Sequence, residues 1–255
     1  MRRVRVIPTL LLNSVGGLVK TIRFGRRIYI GDPINAVRIF NEKGVDELVL
    51  LDIDATRDGR EPNYTLIEEI AGEAFMPVGY GGGVKTVEQM ARLFRCGLEK
   101  VVLCTAAIEN PEVIRAGADR FGSQSIVGCL DVRRSLFRGP HVCLLSGRQR
   151  TSLSPVEAAR KLVESGVGEI IVNAVDRDGT RRGYDIGLLG SITSEVDVPV
   201  VACGGAGELA DIHLAVERGG CAAAAAGSLF LFRNNGILIS YPSADELQQQ
   251  VFAKL

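Results

Sequence analysis

EIIVNAVDRDGT, residues 169–180, sets an apolar run against an acidic turn, and the same order occurs earlier as ELVLLDIDAT, residues 47–56. Asp52-Ile53-Asp54-Ala55-Thr56 matches Asp176-Arg177-Asp178-Gly179-Thr180. Two further pairs keep the spacing. The glycines of GYGGG (79–83) match those of ACGGAG (202–207), and Cys104-Thr105 matches Gly227-Ser228, every offset being 123 or 124 residues. A constant offset across half the chain is the trace expected of a duplicated half-fold.

Outward from these pairs, eight short apolar runs end in polar residues or glycine: RVRVIPTLL, ELVLLDID, PVGYGGG, KVVLCTA, SIVGCLDV, EIIVNAVDRDG, PVVACGG and AAAAAGSLF. Runs apolar on both faces suit parallel strands covered on both sides, and segments such as NAVRIFNEKG and PVEAARKLVESG between them suit crossover helices. Eight repeats of this alternation predict a closed (β/α)₈ barrel built from two half-barrels of four strand-helix units, in preference to an open doubly wound sheet. No linker or low-complexity stretch divides the chain, so residues 1–255 are expected to form one domain.

Composition narrows the function. Thirty basic and thirty acidic side chains balance, tryptophan is absent and aromatic residues are few. A long-range field for nucleic acid or anionic membrane is therefore not expected, nor a base-stacking platform. MRRVRVIP lacks a secretory apolar core, and no run approaches the ~20 apolar residues that span a bilayer, so a cytoplasmic protein is expected. Cysteines 96, 104, 129, 143, 203 and 221 form no Cys-x-x-Cys pair, and His141 and His213 lie far apart. Reduced thiols are expected rather than disulfides or a metal site, and no cofactor is implied.

The matched glycines carry the first chemical reading. Gly82 and Gly83 after strand 3 with Thr105 after strand 4 would present backbone N–H groups and a hydroxyl to an anion. Gly204 and Gly205 after strand 7 with Gly227 and Ser228 after strand 8 would do the same opposite. A lone Gly-Gly is more simply a tight turn, but duplicated glycine-plus-hydroxyl pairs at barrel strand ends point to two phosphate cradles, and to an elongated ligand with a phosphate at each end. VIPTLLL (6–12) and IVGCLDV (126–132) fall at nearly the same offset and read as strands 1 and 5. Leu11 and Asp131 should then face each other beneath the middle of that ligand.

VDELVLLDIDAT, GGGVKTVEQ, TAAIENP, FGSQSIV, GVGEIIVNAVDRDGT, GYD and VACGGAG closely resemble the cyclase subunit of imidazole glycerol phosphate synthase, over about residues 3–234. The resemblance implies a (β/α)₈ barrel paired with a glutaminase, whose ammonia crosses the barrel and attacks a bis-phosphorylated ribulosyl intermediate. It implies two catalytic aspartates, at the ends of strands 1 and 5, acting as an acid-base pair. Asp131 matches the second, but Leu11 stands where the family reads aspartate, and leucine moves no proton. Neighbouring Asp52 or Asp176 could substitute. Cys104 stands where the family has asparagine beside the threonine of its cradle, and Lys20 matches the basic residue of the loop that closes over substrate.

At the opposite end of the barrel, Arg5, Glu47, Lys100 and Glu169 match a ring of charges that gates ammonia entry in the family; the plainer reading is an ion-pair cluster closing the barrel base. Glu99 and Gln124 match residues near the glutaminase. The combination resembles a specialised branch, echoed in VIPTLLL, GDPINAVRIFNEK and LFRNNGILISYPS, that serves bacterial surface sugars. Membership implies relay of ammonia to a sugar amidotransferase. The alternative is an active lyase-cyclase of histidine biosynthesis.

Overall fold

The computed structural model describes residues 4–135, 139–233 and 236–253. Eight parallel strands make a closed barrel: β1 (Arg5–Leu12), β2 (Leu48–Asp52), β3 (Val78–Gly81), β4 (Lys100–Leu103), β5 (Ile126–Ser135), β6 (Glu169–Ala174), β7 (Val200–Cys203) and β8 (Ala223–Ala226). Each pairs with the next, and β8 returns to β1 through Arg5↔Ala223 and Ile7↔Ala225. The expected (β/α)₈ barrel is the observed architecture, with each run apolar because both strand faces are covered.

Period-two alternation divides the core. Val6, Leu10, Leu50, Tyr80, Leu103 and Val172 point outward into the layer beneath the helices. Ile7, Val49, Val102, Val127, Cys129, Ile171, Val201, Ala223 and Ala225 fill the interior. Local signals fix where the intervening helices start. Asp32 accepts from the Asn35 N–H ahead of helix Pro33–Glu42, and Thr86 with Gln89 forms a capping box for Val87–Arg95. Ser154 and Glu157 do the same for Pro155–Ser165, which Gly166 ends in the left-handed conformation. With helices held outside, strand C-termini are left to loops, which is where this architecture places its sites.

Candidate functional site

The C-terminal ends of the strands open into a cavity of about 410 Å³, within the range that encloses small-molecule ligands. Two antiparallel extensions roof it. Strands Leu18–Thr21 and Arg27–Gly31 follow β1, and strands Gly139–Leu144 and Gln149–Arg150 follow β5. At the second roof's tip, Leu145 and Ser146 take φ of 52° and 56°, a costly conformation for side chains that bear a Cβ. Hydrogen bonds hold it: the Leu145 N–H donates to Thr105 Oγ1 at 3.1 Å, and Ser146 Oγ donates to the Ile53 carbonyl at 3.1 Å.

Asp131 sits buried on the cavity floor. Asn173 Nδ2 donates to its Oδ1 at 3.1 Å and Cys104 Sγ to its Oδ2 at 3.5 Å. Burial pushes its pKa up to about 6, against the lowering effect of those two hydrogen bonds. Such a carboxyl is suited to proton exchange near neutral pH. Leu11 lines the same cavity and is itself buried, so the position across from Asp131 offers only hydrocarbon.

Both suggested substitutes already have partners of their own. Asp52 reaches the cavity but is engaged by the N–H groups of Asp54 and Ala55, at 3.0 and 2.8 Å, and by Arg60. Asp176 turns outward and accepts the Arg134 N–H at 2.6 Å. Asp178 is the aspartate of that turn which lines the cavity, and its oxygens take Lys20 Nζ at 2.5 Å and Thr21 Oγ1 at 2.6 Å. Lys20 is thus buried, on the first strand of the roof that follows β1. A Cβ on Gly227 would stand 3.2 Å from its Cε, so the lysine stem runs over the end of β8.

Both groups of matched glycines line this one cavity, on opposite sides of the barrel. Gly82 takes φ of 122°, and a Cβ there would lie 2.3 Å from the Asp52 carbonyl; Gly205, at φ 118°, would bring one within 2.3 Å of the Gly183 carbonyl. No other residue fits either place. The sides differ in what they leave for a ligand. The Gly83 N–H donates to Thr56 Oγ1 at 3.0 Å, and Thr105 Oγ1 already accepts from Leu145.

At the other end of the barrel, Arg5, Glu47, Lys100 and Glu169 close a ring of alternating charge. Arg5 binds one oxygen of each glutamate, and Lys100 Nζ takes the others at 2.7 Å from Glu47 and 2.9 Å from Glu169. Every carboxylate oxygen in the ring therefore has a cation, which offsets the cost of burying it. Glu99 and Gln124 are exposed at this same end, just before β4 and β5.

The model of the histidine biosynthesis protein family matches residues 5–235. The chain belongs to this family. It is 53% identical to the provisionally named imidazole glycerol phosphate synthase subunit hisF2 of Pseudomonas aeruginosa, over 97% of this chain and 99% of that one. It is 48% identical to the provisionally named subunit hisF3 of Vibrio vulnificus, over 96% and 95%. The imidazole glycerol phosphate synthase subunit HisF of Caulobacter vibrioides is 43% identical, over 91% and 89%. This chain is accordingly a HisF-like barrel of the cyclase type.

Within this HisF-like barrel, residue-by-residue reading overlooked Asn173, Asp178 and Cys129. The first was within reach, because Glu169, Ile171 and Asn173 alternate onto one strand face and Glu169 already points inward. Cys129 was not, since its neighbour Cys104 follows another strand and only the β4–β5 register brings them together. All six cysteines are free thiols. Among the described residues no helix is long and apolar enough to cross a membrane.

Proposed function

We propose that this chain is the ammonia-accepting barrel of a glutamine amidotransferase pair, with a glutaminase docked on the face bearing Glu99 and Gln124, and that its cyclase chemistry has been given up. The observation that carries this reading is the contrast between the two ends. The charged ring of Arg5, Glu47, Lys100 and Glu169 is complete, whereas the acid-base pair is reduced to Asp131 facing Leu11.

The interior between the ends supports it. Its packing of Ile7, Val49, Val102, Ile171, Val201 and the alanines of β8 is apolar, which favours neutral ammonia over ammonium, because an unpaired cation pays a large desolvation cost there. Ammonia arriving beside Asp131 would leave toward a further acceptor, and a cytoplasmic amidotransferase acting on a bacterial surface sugar fits a barrel that no longer cyclises. The second reading, an active lyase-cyclase of histidine biosynthesis, is favoured by the two retained glycine pairs and by the likeness to the Caulobacter HisF. Ammonia-dependent turnover of the cyclase substrate decides between them.

Anion binding is expected under either reading, because backbone amides do not depend on Leu11. Crystals grown in ample sulfate should show an anion at Gly204, Gly205, Gly227 and Ser228, with Lys20 alongside. The site at Gly82, Gly83 and Thr105 should fill less completely, since Leu145 and Thr56 already compete for its groups. Sulfate absent from both positions would remove the cradles from the proposal.

A further inference from the structure

We propose that Cys104, Cys129 and Asp131 form a binding site for a soft divalent cation such as Zn²⁺, with its remaining coordination position open to the cavity. The sulfurs of both cysteines and a carboxylate oxygen of Asp131 lie within 4.8 Å of one another. The fold dictates this. Leu103 pairs with Gly128 across β4 and β5, which sets Cys104 beside Cys129, and Asp131 follows two positions further along the same inward face.

The spacing fits an ion. Zinc bonds of about 2.3 Å to sulfur and 2.0–2.2 Å to oxygen, at a tetrahedral angle, set the two ligand atoms about 3.5 Å apart. Cys104 Sγ and Asp131 Oδ2 are 3.5 Å apart. A thiol proton now bridges them, and the cation would take its place while both thiols release theirs. The other carboxylate oxygen is held by Asn173 Nδ2 at 3.1 Å. This is the outer hydrogen bond that orients a ligating carboxylate. Two thiolates select zinc or cobalt over magnesium or calcium, and a three-ligand set with one open position is the arrangement of sites that exchange their fourth ligand. All three side chains line the cavity, so an ion has a path in. The site does not depend on passage of ammonia.

The test titrates the full chain, reduced and metal-free, with Co²⁺. One equivalent should bind, with a sulfur-to-cobalt charge-transfer band in the near ultraviolet and the visible bands of a tetrahedral ion. Cys129→Ser and Cys104→Asn should each abolish or strongly weaken that band while far-ultraviolet circular dichroism stays native. Asn173→Ala, which removes no ligand, should weaken binding by about 10- to 100-fold with the band in place. Cys96→Ser, beside the Tyr64 carbonyl on the outer layer, should bind as the wild type does. No charge-transfer band in the folded wild type at saturating Co²⁺ overturns the site, as does a band unchanged in both cysteine variants.

Discussion

Supplied with ammonium salt and the ribulosyl bis-phosphate substrate, the purified chain should turn over at least ~10²-fold more slowly than the Caulobacter HisF assayed beside it, since each positioned proton-transfer group contributes roughly 10²- to 10⁴-fold. Cyclisation moves protons at two centres, which needs two groups in different protonation states. Asp131 can fill one role. The other carboxylates near it are committed, Asp178 to Lys20 and Thr21 and Asp52 to its own turn. Leu11→Asp should recover part of the rate, because position 11 lies on the cavity wall and burial would raise the new carboxyl's pKa as it raises that of Asp131. Turnover by the unaltered chain within about tenfold of the comparator would mean that a lost aspartate is not a lost active site. The proposal would then give way to the histidine-biosynthesis reading.

The barrel was legible from the sequence because its signals are local and repeated. Apolar runs ending in glycine and helical segments such as NAVRIFNEKG show themselves through neighbouring residues, and the offset between DIDAT and DRDGT repeats the pattern further along the chain. The site was legible in part. Leu11, Asp131 and both glycine pairs converge on one cavity, as their positions at strand ends require. What stayed hidden depends on register and on how the roofs fold back. Nothing in GVKT or SGRQ announces that Thr56 and Leu145 would occupy the groups of one cradle. The turn DRDGT holds two aspartates, and only the folded chain shows Asp178 facing inward and Asp176 outward. The proximity of Cys104 and Cys129 likewise arises from strands that are neighbours in space, with a helical segment between them in sequence.

Lys100→Ala should separate conduction from packing at the ring. The substitution leaves Glu47 and Glu169 to share Arg5, so two buried carboxylates face one cation. Removing one partner from a buried ion pair costs about 3–5 kcal/mol, and water reaching the partly exposed lysine should reduce this here. The fold should survive, because the strands and helices bury a far larger core than this cluster. With its second cation gone, the ring should loosen, and Lys100→Arg should restore the balance of charge. In the full amidating system, with glutaminase and acceptor enzyme present, product yield is then compared from glutamine and from saturating ammonium salt. If ammonia passes through the ring, Lys100→Ala should lose yield from glutamine while keeping it from ammonium, as ammonia released by the glutaminase escapes to solvent. Lys100→Arg should keep both. Undiminished yield from glutamine in a folded Lys100→Ala protein would reduce the ring to an ion-pair plug, and the barrel to a scaffold through which no ammonia travels.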